Sequence, residues 1–169
     1  MINHLILEMM RVNNADPRRI SHALKVYGIA KCIAGCEGLP ERTQRIVEAA
    51  AVLHDIGIRL CEQTYGSCPG PLQEKEGPGV AKPILERYTQ DNEFIDRVCW
   101  LIAHHHTYKD MDSIDHRILI EADFIVNAQE GEFGAAAFEN VCALYFQTAA
   151  GKEIADRMVK SASGLDGIG

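Results

Sequence analysis

Apolar positions recur along this chain at intervals of three and four residues, the period of an amphipathic helix, and no long β-branched alternation interrupts them. Ile2, Leu5, Ile6 and Met9 mark one face of a first helix over 1–13, which Asn13-Asn14-Ala15 breaks. Asp16-Pro17 is a start signal, an N-cap followed by a proline at the first helical position. It predicts a helix over 17–34 whose inner stripe is His22, Val26, Ile29, Ala30 and Ile33. A third helix over 41–53 carries Ile46, Ala49, Ala50 and Leu53, with Gly57 as its C-terminal stop. From Cys61 to Gly79 the glycines and prolines predict a long irregular loop, followed by a helix over 80–88.

The pattern then resumes. A helix over 91–105 places Phe94, Val98, Leu101 and His105 on one stripe, and 107–113 is a polar loop. The helix over 114–127 lines up Leu119, Asp123 and Val126. An Ala-rich helix over 133–149 should turn Ala137, Val141, Leu144 and Tyr145 inward, and a short helix follows over 152–159. The expectation is an all-α fold, a compact helical bundle. A single domain should span 1–160, its core about 16–130, with a flexible Gly/Ser-rich tail over 161–169.

Composition narrows the function classes. The 169 residues suffice for one domain with a sizeable core, and 47% hydrophobic with 24% charged residues is ordinary for a globular protein. A net charge of −7 argues against a general nucleic-acid binder, which carries a basic stripe. It leaves room for a small phosphorylated substrate, since a metal ion can supply positive charge. No stretch approaches the roughly 18–20 apolar residues of a membrane span. Met1 to Arg11 has neither a basic leader nor a small-residue cleavage site. Cys32, Cys36, Cys61, Cys68, Cys99 and Cys142 form no CxxC pair, so they read as reduced, mostly core thiols of a cytoplasmic protein. The apolar first helix and the Ala-rich late helix are surfaces on which a homodimer could form.

The chemistry lies in polar residues that interrupt apolar stripes. His22, His54 with Asp55, His105 and Asp123 each sit on, or at the end of, the inner face of a separate helix. In a bundle those faces converge. Each would be a desolvated polar group, and a shared cation satisfies them together. Imidazole with carboxylate suits a first-row divalent metal (Mn, Fe, Co, Ni or Zn), with Mg as a further candidate, and the lack of a Cys ligand pattern argues against a closed structural zinc site.

In order and local context these residues resemble the HD-domain metal-dependent phosphohydrolases. Arg18-Arg19-Ile20-Ser21-His22-Ala23-Leu24-Lys25-Val26 is similar to the family's first-His helix, Leu53-His54-Asp55-Ile56-Gly57 to its HDIG motif, and Glu121-Ala122-Asp123-Phe124-Ile125 to its final Asp helix. The resemblance covers about residues 16–130. It implies an HD-type bundle with His54 and Asp55 as the catalytic centre. His22, His54, Asp55 and Asp123 would hold one metal, and Asp55 would bridge to a second. It further implies Glu76, where the family's two-metal members usually carry His, together with His105 and His106, as ligands of that second ion. His104 falls where relatives carry an aromatic residue and ranks third in the triplet. Such a site hydrolyses a phosphomonoester or phosphodiester of a nucleotide or similar metabolite by attack of a metal-activated water. Arg18, Arg19, Lys25 and Lys109 are the candidate phosphate contacts, arginine's fork favouring the first two. Two other readings stand beside it: a non-catalytic HD-like module that senses a nucleotide or metal, and a di-iron oxygenase on the same scaffold.

Overall fold

In the computed structural model of the chain, residues 1–109, 111 and 113–160 are described, 159 and 160 by their backbone alone. The expected tail over 161–169 lies outside the described residues. The helices are α1 (Ile2–Val12), α2 (Pro17–Cys36), α3 (Glu41–Leu53), α4 (Ile58–Tyr65), α5 (Gly70–Leu85), α6 (Asn92–Ile102), α7 (Ile114–Gln129), α8 (Ala135–Tyr145) and α9 (Ala149–Ala155), closed by a π-helical turn over Asp156–Lys160. Among the described residues there is no strand, and the fold is the all-helical one the periodicity predicts.

Two helices form the centre. Every residue of α7 from Ile118 to Val126 is buried, and so is every residue of α3 from Ile46 to Leu53. Helices apolar on most sides belong in the middle of a core. α2 packs along both, α6 lies on α3 and α5, α1 covers α3, and α8 and α9 lean on α7. Asp16 starts α2 as expected, its carboxylate accepting from the backbone N–H groups of Arg18 and Arg19 at 3.0 and 3.3 Å. Asp91 does the same for α6 by accepting from Phe94 N.

Four expectations need correction. The segment from Cys61 to Gly79 is not a loop: α4 covers its start, and α5 begins at Gly70 and runs through Gly77-Pro78-Gly79. Pro71 falls in the first turn, where its missing N–H costs nothing. Pro78 and Pro83 each remove a donor inside the helix. The helix persists because Ala81, Ile84 and Leu85 are buried and α5 is gripped by α4 and α6. Second, Gly57 does not stop α3 with a left-handed residue, for its φ is −79°. It is glycine because α5 crosses it: a Cβ there would come within 2.8 Å of the Gly77 backbone.

Third, α8 turns about Phe138, which is 1% exposed, so Val141 and Tyr145 are half-buried, Ala137 faces solvent and Leu144 is 70% exposed. Phe138 carries far more apolar surface than Ala137 and sets the register. Fourth, the six cysteines are free, but only Cys61 is buried, and Cys32 and Cys36 lie on the solvent side of α2.

One polar anchor was not foreseen. Glu121, fully buried on α7, accepts from Gln147 N at 2.7 Å, Thr148 N at 3.0 Å and the Thr148 hydroxyl, and so ties the start of α9 to the core.

Candidate metal centre

α3 ends at Leu53, and the chain turns through His54–Gly57 before α4. The His54 ring is buried and donates Nδ1–H to the Ala51 carbonyl at 2.9 Å. Its Nε2 therefore faces the space between α2, α6 and α7. His105, just past the end of α6, repeats the arrangement, with Nδ1–H donated to Ile102 O at 2.7 Å. From α2, His22 directs its Nδ1 to Glu130 Oε2 at 3.0 Å, again leaving Nε2 for the interior. In all three imidazoles Nδ1 meets an oxygen and Nε2 is the atom aimed at the interior, where a metal ligand would present it.

The Nε2 atoms of His22 and His54 lie 3.2 Å apart, and Asp123 Oδ1 sits 3.1 Å from the first and 3.6 Å from the second. Asn127, one turn later on α7, holds the other Asp123 oxygen at 3.0 Å. Asp55 Oδ2 lies 3.4 Å from His54 Nε2 and 3.7 Å from His22 Nε2, while its Oδ1 lies 3.5 Å from His105 Nε2. The donors fall into two groups whose ligand atoms lie within 4.8 Å of one another: His22, His54 and Asp123, and Asp55, His105 and His106. Asp55 stands between them.

The set suits a cation. His105 Nε2 is buried without a hydrogen bond, and the Nε2 atoms of His22 and His54 face each other across 3.2 Å beside two carboxylates. Burial works against charge on His54, yet the carboxylates of Asp55 and Asp123 raise its imidazole to about 9. Burial likewise opposes ionisation of Asp55, and His54 and His105 still hold it well below the ordinary carboxylate range. Asp123 is lowered by its bond to His22 and the charge of His54 against the same burial. The pocket favours positive charge at its centre, which a divalent ion on nitrogen and oxygen donors would supply.

The remaining sequence candidates divide. His106 belongs to the second group, but Nε2 is bonded to Gln73 Oε1 at 2.8 Å and Nδ1 faces the Tyr108 hydroxyl at 3.2 Å. His104 is turned away: it stacks on Trp100 with ring centres 4.1 Å apart and donates Nδ1–H to Trp100 O. Glu76 is in neither group. Its Oε1 accepts from the Tyr65 hydroxyl at 2.9 Å and lies 3.4 Å from Lys75 Nζ. Arg19 is held by Glu62, with both carboxylate oxygens within 2.8 Å of Nη2. Lys25 is paired with Glu130 at 2.8 Å. Arg18 and Lys25 line a groove of about 600 Å³ with Pro17, Ser21, Gln129, Glu130 and Glu132. Lys109 is exposed.

Reading the sequence for ligands overlooked Glu130, Asn127, Gln73 and Glu74. Asn127 and Glu130 follow Asp123 by four and seven residues, the spacing of one helical face, and that signal pointed to them. Gln73 and Glu74 sat inside the expected loop, where no face could be assigned. Glu74 accepts from His106 N and Thr107 Oγ1 at 3.0 and 2.8 Å, fixing the His turn to α5.

Among known proteins, a family model described as HD domain matches residues 19–128, more than half of the chain. Neither the curated proteins nor the solved structures contain a significant match. HD domains bind divalent metals and are typically metal-dependent hydrolases, and the matched span contains His22, His54, Asp55, His105, His106 and Asp123. With its all-helical fold, the ordered H…HD…D set and this match, the chain belongs to the HD-domain family.

Proposed function

We propose that this protein is a metal-dependent phosphohydrolase that cleaves a phosphomonoester or phosphodiester of a small phosphorylated metabolite, a nucleotide foremost. The observation that carries the reading is the pair of donor groups joined through Asp55, with the buried, unbonded His105 Nε2 facing it at 3.5 Å. The proposed ligands are His22, His54, Asp55 and Asp123 on one side, and Asp55, His105 and His106 on the other. A divalent ion there supplies Lewis acidity, which lowers the pKa of a coordinated water and neutralises charge on phosphoryl oxygens.

The chain's own residues do the rest. Asp55 is the central carboxylate, ionised across the neutral range, and its two oxygens face the two donor groups. His54 and His105 hold Nε2 inward through backbone acceptors, which is the preorganisation such sites depend on. At 25% side-chain exposure Asp55 is the open side of the centre, while His54 and His105 form a dry floor. Arg18 and Lys109 are the proposed phosphate contacts; Lys25 and Arg19 reach substrate only by exchanging a carboxylate partner for it. Glu76, held by Tyr65 and Lys75, does not enter the proposed ligand set.

The test is turnover by protein stripped of metal and reloaded separately with Mn, Fe, Co, Ni, Zn or Mg. The substrates are p-nitrophenyl phosphate, its bis-ester and a panel of nucleotides, and the readout is phosphate or nitrophenol release. Release that depends on added metal and vanishes in D55A is expected. Nucleotide binding without turnover under any metal would identify a sensing module instead, and oxygen consumption with iron would identify an oxygenase.

A further inference from the structure

We infer that Glu130 is a positioning residue of the metal centre: it selects the His22 tautomer and holds the ring at the angle a metal ligand requires. The inference rests on the metal-centre reading. It concerns a residue outside the matched span of 19–128.

The argument begins in the backbone. α7 ends in a closed C-terminal motif: Gly131 N–H bonds Ala128 O at 3.2 Å, and Glu132 N–H bonds Asn127 O at 2.9 Å. Gly131 has φ +86°, a conformation glycine adopts at no steric cost. Glu130 is the cap residue of this motif, so its Cα is fixed by α7 although its carboxylate is 29% exposed. A glutamate on a free loop would orient nothing; one clamped between a helix end and a left-handed glycine can.

The two carboxylate oxygens then divide their work. Oε1 accepts from Lys25 Nζ at 2.8 Å, and Oε2 faces His22 Nδ1 at 3.0 Å. Lys25 is three residues from His22 on α2, so the lysine and histidine hold the carboxylate from one side as the Gly131 motif holds it from the other. His54 and His105 use backbone carbonyls to fix their Nδ1–H groups, but His22 Nδ1 looks out of the bundle and depends on a side chain. A carboxylate behind a ligating imidazole fixes its tautomer and raises its basicity, and losing such a partner typically weakens metal binding 10- to 100-fold.

Two measurements on the full chain test this. Long-range 1H–15N NMR of the metal-free protein reads the His22 tautomer; calorimetry with Mn(II) and Zn(II) reads affinity. The wild type should carry its His22 proton on Nδ1. E130A should lose that preference and bind metal about 10- to 100-fold more weakly. E130Q, whose amide oxygen can still accept, should fall between them. E130A added to H22A should weaken binding no further than H22A alone, because Glu130 acts through His22. Equal tautomer populations and equal affinity in wild type and E130A would overturn the assignment, as would a full E130A loss persisting in the H22A background. Wild-type protein that takes up neither metal would overturn the metal centre, and with it the role of Glu130. Wild type that binds metal, with E130A matching its tautomer and its affinity, would overturn the Glu130 role alone.

Discussion

One carboxylate faces three imidazoles at Asp55, and that geometry makes the residue irreplaceable in this account. D55A removes the carboxylate that lies between the two donor groups, within 3.7 Å of the Nε2 atoms of His22, His54 and His105. Metal content should fall to background, checked by elemental analysis of the purified variant. H105A acts on one group only, so it should cut the metal bound at saturation from two ions to one, read by titration calorimetry. A second residue-scale prediction lies away from the site. Asp115, almost fully buried, is gripped by Arg97 at 2.8 Å through both oxygens and lies beside Ser113. Burial raises its pKa, but those bonds outweigh it and hold the group below its ordinary range. Its folded value is therefore lower than its unfolded one, near 3.9. The stabilisation is complete above about pH 4 and disappears as pH falls through the folded value. D115N should be less stable than wild type at pH 7, and denaturant titrations should show the gap closing below about pH 4.

Residues of the inner faces were readable from spacing alone. His22, His105 and Asp123 fell on apolar stripes, and a polar residue on such a stripe needs a partner. Glu76 was harder, because the loop expected around it has no period. Its carboxylate accepts from the Tyr65 hydroxyl.

Helices as units tell a second story. α3, α6 and α7 match the periodic reading closely, because long apolar faces outweigh local detail. α5 does not, because propensity counts two internal prolines and three glycines against a helix, while the packing of Ala81, Ile84 and Leu85 decides for it. The glycines have a use once α5 is in place. Gly57 and Gly77 let the HD turn and α5 touch backbone to backbone, which fixes His54 and Asp55 relative to α6. G57A would force a Cβ to within 2.7 Å of Gly77 N, so it should destabilise the fold by about 1–3 kcal/mol and weaken metal binding together. Denaturant melts with and without metal separate the two effects. Glu121 anchors a different unit. E121A strands the N–H groups of Gln147 and Thr148, at about 1–3 kcal/mol, and should expose α9 to hydrogen exchange while leaving metal affinity near wild type.

Over the whole molecule, the buried centre of α3 and α7 forms a floor to which α2 and the end of α6 bring the remaining ligands. The all-α class was readable from spacing, and the family from the resemblance of the His22, His54-Asp55 and Asp123 segments to HD-domain motifs. The docking of α8 was not, because an Ala-rich helix carries little apolar asymmetry and one phenylalanine decided its register. The net charge of −7 fits the proposed reading, in which a substrate phosphate would be met by metal rather than by a basic patch. The core along α3 and α7 is largely apolar, so chelation should lower the melting temperature without unfolding the chain. An ion at 100 times its Kd adds about 2.7 kcal/mol of stability.

The most direct measurement of the central claim is the metal content of protein purified without chelators, determined by mass spectrometry beside D55A prepared identically. The account predicts one to two divalent transition-metal ions per chain in the wild type and none in the variant. A metal-free wild type that also fails to bind added Mn(II) or Zn(II), or equal metal in both proteins, would contradict it.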